Sequence, residues 1–358
     1  MRQDGGPLSG WRGHAVSALF LAGSAAVAFL PILSGARSFL NWDLFYEHVP
    51  IWATVQRALL SGESPFWLDG AYAGNPLLYT QEAPLLYPLT APLLLSGLPA
   101  YRAADLFTLF HVLIAGVLAY ALVQDVTRRR VAALVAGTAW MLSARTVQSA
   151  IWPNAVAVAA LLPLLVLGLL RIGRGQRRSG IFLAAAGGGL MLLAARPHSV
   201  VGAAPLLLAI STFAIASAPR RAVALRDTAL AALLAAGLGA PSVLPTAILH
   251  PEMDRSSGLS AEERNVDALR PGGDLDLVFL PRDGRDRFPE AACYPGLAAG
   301  LLFAAGLLLA ARGPSPERPL LLALAAGGAL GLAFAFGDAG PYRLFSRLPG
   351  LSSPGPSP

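Results

Sequence analysis

Residues 41–88 have the sequence NWDLFYEHVPIWATVQRALLSGESPFWLDGAYAGNPLLYTQEAPLLYP and interrupt a chain that is otherwise strongly apolar. This stretch follows the first hydrophobic segment and concentrates acids, aromatic residues, prolines and glycines that the rest of the chain mostly lacks. The long apolar segments that flank it predict a helical membrane scaffold. We therefore interpret residues 41–88 as the main part of a site on the extracytoplasmic side of that scaffold.

A short helix is predicted inside this stretch. Pro50 suits the first turn of a helix, where a backbone amide hydrogen has no partner to lose. Ser61-Gly62 and Pro65 then predict its end. Its apolar face is formed by Ile51, Trp52, Val55 and Leu59. Because apolar and polar residues separate onto different faces, the helix is predicted to lie along the membrane interface.

The composition is that of a polytopic membrane protein. The 358 residues are 55% hydrophobic and 13% charged, with a mean hydropathy of +0.56. A soluble domain has about 25% charged residues. The chain is therefore predicted to be an all-α membrane protein whose helices pack against one another and against lipid.

Nine apolar segments predict nine transmembrane helices in a single domain that covers residues 1–358. They lie at about 15–33, 103–124, 131–147, 154–170, 180–195, 199–217, 224–244, 295–311 and 319–336. Residues 84–100 are also apolar but contain four prolines, so they are interpreted as a re-entrant or interfacial segment. Two large loops, 34–102 and 245–294, then face the extracytoplasmic side.

The distribution of charge sets the predicted orientation. All 27 basic residues are arginine, and they cluster in short segments between the apolar ones. With a cytoplasmic N-terminus, the cytoplasmic segments hold 14 arginines against four acids, and the other side holds 13 arginines against 17 acids. This asymmetry favours nine spans with the N-terminus inside. The same clustering argues against nucleic acid as a partner, since no contiguous basic face is formed.

Metal binding is left undecided by the sequence. Cys293 is the only cysteine, which excludes an intramolecular disulfide and a cysteine metal cluster. The five histidines show no His-x-x-x-His spacing. Asp43, about ten residues beyond the first span, can act as a general base or hold a divalent metal ion. An ordinary solvated carboxylate after a helix end is the alternative.

Other candidate residues lie at predicted outer ends of spans. Arg145, Arg196 and His198 would face the same surface as Asp43, where the planar donors of arginine can hold a phosphate. Interface anchors or ion pairs with outer acids explain them equally well. The aromatic residues Trp67, Tyr72, Tyr79 and Tyr87 can stack on sugar rings, but Trp and Tyr are also common at any membrane interface.

A family pattern runs through these residues, at Asp43, Tyr46, Pro50, Pro65-x-Trp67, Gly74-x-Pro76, Gln81 and Tyr87-Pro88. The pattern resembles the N-terminal part of the YfhO-type bacterial membrane proteins, within the integral-membrane glycosyltransferases that have the GT-C fold. Weaker likenesses follow in order along the chain, at LLPLLVLGL (161–169), ARPHS (195–199), VLPTAIL, LDLVFLPR, Tyr294-Pro295-Gly296 and PYRLFSRLPG (341–350).

The resemblance implies a glycosyltransferase in the bacterial cytoplasmic membrane. The donor would be a polyprenyl-phosphate sugar, and the acceptor an extracytoplasmic molecule such as a cell-envelope polymer. Asp43 would be the general base, or would orient the acceptor. The residues expected to contact substrate are Tyr46, Trp67, Gln81, Tyr87, Arg145, Asn154, Arg196 and His198.

The chain also departs from the family pattern. The family turn is changed to Arg196-Pro197-His198, and Trp152 stands two residues before Asn154, where a histidine is expected. The family continues with more spans after the last matching segment, so this chain is expected to be truncated at its C-terminus. Two other functions therefore stay open, a transporter or flippase of lipid-linked saccharides and an inactive membrane scaffold or fragment.

Overall fold

The computed structural model describes residues 7–68, 70, 74–80, 82–195, 200, 202–249, 251, 297–312, 318–341 and 343. The described chain is mostly helical. The α-helices are α1 (Pro7–Ala28), α2 (Leu30–Leu33), α3 (Val49–Ser61), α4 (Leu77–Thr80), α5 (Thr90–Leu94), α6 (Ala100–Thr127), α7 (Arg130–Met141), α8 (Ala144–Gln148), α9 (Pro153–Gly173), α10 (Arg177–Ala194), α11 (Ala204–Ser217), α12 (Arg221–Leu249), α13 (Leu297–Arg312) and α14 (Arg318–Ala335).

Short elements connect these helices. A π-helical turn, Leu44–His48, leads directly into α3. Two-residue strands, β1 (Trp67–Leu68) and β2 (Asn75–Pro76), form an antiparallel pair in which Trp67 lies opposite Pro76. Turns of 3-10 helix occur at Ser149–Ile151 and Gly337–Ala339.

Four helices are long and apolar enough to cross a membrane: α6, α9, α12 and α14. The surface is that of a protein in a membrane, because large apolar side chains are exposed along α12 and also along α1, which is not one of these four helices. Leu19 of α1 is 71% exposed, and Leu233 and Ile248 of α12 are 69% and 72% exposed. Exposure of such large apolar surfaces to water is unfavourable, whereas their contact with lipid is not. The chain is therefore a membrane protein with at least these four candidate spans.

Each of the nine predicted segments contains a helix. Besides the four candidate spans, the remaining five predicted segments coincide with α1, α7, α10, α11 and α13. The segment at 84–100 forms turns and the short helix α5 in place of a span, as predicted. Gln56 of α3 holds this segment by donating from Nε2 to the carbonyl oxygens of Leu94 (2.8 Å) and Leu98 (2.7 Å).

Small residues allow the helices to approach closely. Helix α10 packs against α9 and α12, and α6 packs against α7 and α9. A Cβ atom added to Gly187 of α10 would lie 2.8 Å from the backbone nitrogen of Leu165 in α9. One added to Gly137 of α7 would lie 2.7 Å from the backbone oxygen of Gly116 in α6. Such contacts are the usual basis of helix association where no hydrophobic effect drives it.

Two contacts show that α1 runs antiparallel to α6. Near the start of α1, Nδ1 of His14 lies 2.8 Å from the hydroxyl of Tyr120, in the C-terminal half of α6. At the other end, Nη1 of Arg102 in the first turn of α6 donates to the carbonyl oxygen of Ile32 in α2 (2.8 Å). The bundle therefore has two distinct ends, one of which carries the described residues of 34–68 and 82–105.

The predicted face of α3 is confirmed. Trp52 and Val55 are fully buried, and Ile51 and Leu59 are partly buried. The helix ends at Gly62, whose φ of 72° places it in the left-handed region that favours glycine. Burial of the apolar face against the bundle explains why this segment adopts a helix.

Candidate functional site

The segment that leads to Asp43 is held by a buried carboxylate in α6. Oδ1 of Asp105 accepts hydrogen bonds from the hydroxyl of Ser38 (2.9 Å) and the backbone nitrogen of Phe39 (3.0 Å). Oδ2 of Asp105 accepts from Nη1 of Arg102 (3.0 Å), and Asp105 is fully buried. Because all these partners converge, the path of the chain after α2 is fixed against the N-terminal end of α6.

Backbone strain precedes the candidate base. Trp42 has a φ of 44°, in the left-handed region that a side chain with a Cβ atom rarely adopts. Its backbone nitrogen donates to Oδ1 of Asn41 (3.0 Å). Asp43 follows with helical torsion angles and begins the π-helical turn. Such strain persists only where the surroundings determine the conformation, and it is common at functional sites.

Asp43 makes a long-range contact with Trp152. The indole Nε1 of Trp152 donates to Oδ2 of Asp43 at 2.7 Å. Among the described residues, Trp152 is the only hydrogen-bond partner of this carboxylate, and Asp43 is partly exposed. Its other oxygen is therefore open to a proton, a hydroxyl group or a cation.

Trp152 is itself held in place. Its backbone nitrogen donates to the carbonyl oxygen of Ser149 (2.9 Å), which closes the 3-10 turn before α9. Pro153 then begins α9, a position where proline is favourable. Asn154 lies in the first turn of α9 and is 6% exposed, with Oδ1 accepting from the backbone nitrogen of Ala155 (2.8 Å).

Arg145 lies at the same end of α9 as Trp152 and Asn154. It is exposed on α8, which Ser143 caps by accepting from the backbone nitrogen of Thr146 (3.2 Å). The guanidinium is thus presented to the surface by a short helix with a fixed start. This position is compatible with the predicted contact to a phosphate but also with an interface anchor.

Two of the described aromatic side chains of the quoted stretch, Tyr46 and Trp67, are exposed. Tyr46 is 77% exposed and packs edge-on against Phe45, with ring centroids 4.9 Å apart. Trp67 is 51% exposed and lies against Gly74, whose φ of 108° and close approach to the indole both require glycine. These two side chains remain available to a ligand or to lipid headgroups.

Tyr87, by contrast, is buried. Nδ1 of His111 donates to the carbonyl oxygen of Phe107 (2.7 Å), so Nε2 accepts from the hydroxyl of Tyr87 (2.8 Å). Burial raises the pKa of Tyr87 to about 12, so its phenol stays neutral. This placement favours a structural role over the predicted contact with a sugar.

Sequence reasoning missed a second polar cluster beneath the quoted stretch. Nδ1 of His48 lies 3.1 Å from Oε2 of Glu82 and 3.0 Å from the carbonyl oxygen of the same residue. That carbonyl also accepts from Nε1 of Trp52 (3.0 Å), and all three side chains are buried. The residues next to His48 in the sequence give no indication of this pairing, because its partner lies 34 residues away.

Several predicted residues lie outside the described part of the chain. They are Gln81, Arg196, His198 and Tyr72, together with most of the second large loop. Within the described residues, no group of three histidine, cysteine, aspartate or glutamate side chains could hold a metal ion. The structure therefore brings Asp43, Trp152 and the start of α9 together, and leaves the remaining contacts as predictions.

Comparisons with protein-family models, with curated proteins and with solved structures give no match. The candidate site is therefore interpreted from its own geometry and from the sequence resemblance.

Proposed function

We propose that the chain is a membrane glycosyltransferase that moves a hexose from a polyprenyl-phosphate donor to an extracytoplasmic acceptor of the bacterial cell envelope. The observation that carries this proposal is the contact between Asp43 and Trp152. It orients a partly exposed carboxylate that keeps one oxygen open, and it does so at the end of candidate spans, where a lipid-borne phosphate meets water.

In the proposed reaction, the open oxygen of Asp43 accepts the proton of an acceptor hydroxyl. The hydroxyl oxygen then attacks the anomeric carbon, and the bond between that carbon and the phosphate oxygen breaks. Polyprenyl phosphate leaves with the electron pair and stays in the bilayer through its isoprenoid chain. Fixed cations stabilise the charge that develops on the leaving phosphate, and Arg145 and Arg196 are the candidates.

The proposal extends to the architecture. Nine spans in a GT-C-like arrangement, with a cytoplasmic N-terminus, would put Asp43, Arg145 and Asn154 on the extracytoplasmic face. The charges of the described residues support this orientation. Asp125 and Asp227, which we assign to the cytoplasmic face, each pair with two arginines at the end of the bundle opposite Asp43.

A transporter of lipid-linked saccharides fits the described residues less well. A transport path for a charged substrate is expected to have ionisable side chains near the middle of the membrane that are free to contact it. His111 lies near the middle of α6, but both of its ring nitrogens are engaged with Phe107 and Tyr87. The open carboxylate lies at the end of the bundle, which favours chemistry at the interface.

The test is transfer of radiolabelled glucose from polyprenyl phosphate glucose to envelope material, measured in membranes that contain the full chain. Asp43→Asn is expected to lower the rate at least about a hundredfold, since a general base contributes about that much or more. The matched control is Glu63→Gln, which changes an exposed acid in the same loop and is expected to leave the rate unchanged.

Two results would count against the proposal. Full transfer by the Asp43→Asn variant would remove the assigned base. The unchanged chain could also insert normally and transfer no sugar from glucose, galactose or mannose donors. That result would favour an inactive membrane scaffold.

A further inference from the structure

At the end of the bundle opposite Asp43, two buried aspartates each hold two arginines. Asp125 of α6 pairs with Arg171 (2.8 Å) and Arg174 (2.6 Å) of the α9 end. Its carboxylate is 7% exposed. One carboxylate and two guanidinium groups together carry one net positive charge. The buried carboxylate holds both guanidinium groups in place.

The second group has the same composition. Asp227 of α12 is 1% exposed and accepts from Nε of Arg177 (2.5 Å) and Nη2 of Arg226 (2.9 Å). Arg177 begins α10, directly after the turn in which α9 ends. Gly175 in that turn has a φ of 78°, which allows the chain to reverse within three residues. Arg174 and Arg177 therefore lie at the two ends of one tight turn, and each is held by its own aspartate.

Both guanidinium groups keep hydrogen-bonding capacity. Arg174 uses only Nη1 for Asp125, and Arg177 uses Nε and Nη2 for Asp227. Among the described residues, Nε and Nη2 of Arg174 and Nη1 of Arg177 have no acceptor. The Arg174 and Arg177 side chains are 36% and 51% exposed. Donors fixed in place by a carboxylate lose little freedom on binding a second anion.

The position of this turn suits a lipid phosphate. Helix α9 has 21 residues and is about 30 Å long, the thickness of a bilayer core. Its C-terminal turn therefore lies at headgroup depth. Further exposed arginines, Arg128, Arg129, Arg130, Arg178, Arg220 and Arg221, add positive potential at the same end. Arginine binds phosphate through paired donors, which lysine cannot do.

We propose that the α9–α10 turn, with Arg174 and Arg177 anchored by Asp125 and Asp227, binds the phosphate of an anionic phospholipid. This site is separate from the proposed glycosyltransferase site, because α9 runs from one to the other. It would fix the depth of the bundle in the membrane through a specific headgroup contact.

The test measures binding of a fluorescent short-chain phosphatidylglycerol to the purified full chain in detergent. The salt concentration is 0.15 M, where charges more than about 8 Å apart are largely screened. The double variant Arg174→Gln and Arg177→Gln is expected to weaken binding at least about tenfold. The control double variant, Arg128→Gln and Arg129→Gln, loses the same charge from side chains that no described carboxylate holds, and its loss of binding is expected to be at least about threefold smaller than that of the first double variant.

Equal losses in the two double variants would overturn the proposal, as would equal affinity for phosphatidylcholine. Complete displacement of the lipid by inorganic phosphate would also overturn it, in favour of a soluble anion. If the glutamine variant loses its helical circular dichroism, the double variant Arg174→Lys and Arg177→Lys decides. It keeps the charge but not the paired donors, so the proposal requires at least about a threefold loss.

Discussion

The indole of Trp152 donates a hydrogen bond to the carboxylate of Asp43 across 109 residues of chain. The contact joins the loop after the first helix to the beginning of α9. It gives the carboxylate one defined direction while leaving it partly exposed. This relationship leads to a test of the proposed site that differs from removal of the acid itself.

Trp152→Phe is expected to lower sugar transfer about tenfold while the chain still folds, because the carboxylate remains but loses the group that orients it. Trp152→His restores a ring N–H donor and is expected to recover part of the rate. The measurement is kcat and KM for transfer in membranes. The prediction is wrong if phenylalanine and histidine give equal rates.

Asp105→Asn is expected to destabilise the protein by about 2–4 kcal/mol, since it leaves the partly buried Arg102 without its ion partner and weakens the contacts to residues 38–39. The measurement is thermal unfolding in detergent. Glu63→Gln is the control, because it removes an exposed acid and is expected to change stability by less than about 0.5 kcal/mol. A stable Asp105→Asn variant would show that the buried carboxylate does not hold the loop.

Gly137→Ala is expected to destabilise the bundle by about 1–3 kcal/mol, because the new methyl group would meet the backbone oxygen of Gly116. Gly237→Ala is the matched change in α12, where no atom lies within 4 Å of the added Cβ. Alanine there is expected to be neutral or to stabilise the helix by up to about 1 kcal/mol. Thermal unfolding measures both changes in stability. Changes of opposite sign support the close packing of α6 against α7, and equal changes contradict it.

Trp42→Gly is expected to be more stable than Trp42→Ala by about 1 kcal/mol, because glycine adopts a φ of 44° without a clash of its Cβ atom. Both variants lose the indole, so that loss cancels in the comparison. At an ordinary position the order would be reversed, with alanine the more stable. The measurement is the chemical unfolding of the two variants. If Trp42→Ala is the more stable one, the backbone before Asp43 is not strained.

Tyr87→Phe is expected to destabilise the protein by about 1–3 kcal/mol at neutral pH, because Nε2 of His111 loses its donor in a buried site. The folded pKa of about 12 exceeds the usual value of 10.0. Above pH 10 the unfolded state loses this proton while the folded state keeps it, so stability falls as pH rises towards 12. The wild-type advantage should therefore shrink over that range, and a constant difference would contradict the assignment.

Local patterns predicted the helices well. Every predicted span contains a helix, and the buried face and glycine end of α3 lie where the sequence places them. These features depend on periodicity and on turn residues, which a single segment carries by itself. Of the nine predicted spans, four are long and apolar enough in the structure to cross a membrane, and the others stay a prediction.

The candidate site was less predictable because its contacts are not local. The position of Asp43 after the first span marks it as a candidate, but no local pattern predicts that Trp152 contacts it. The pairing of His48 with Glu82 is also not predictable from local patterns, because the two residues are 34 positions apart. In the structure Pro50 lies in the first turn of α3, where a proline does not interrupt the helix.

The order of synthesis gives the Asp43–Trp152 bond a further consequence. A nascent chain emerges from its N-terminus, so Asp43 enters the membrane more than a hundred residues before its partner. The loop can be held earlier, once α6 supplies Asp105, but the Asp43 carboxylate is oriented only after α7 and α8 have been synthesised and Trp152 has followed. Translation intermediates arrested before residue 152 would therefore hold a formed first hairpin of helices and an unfinished candidate site.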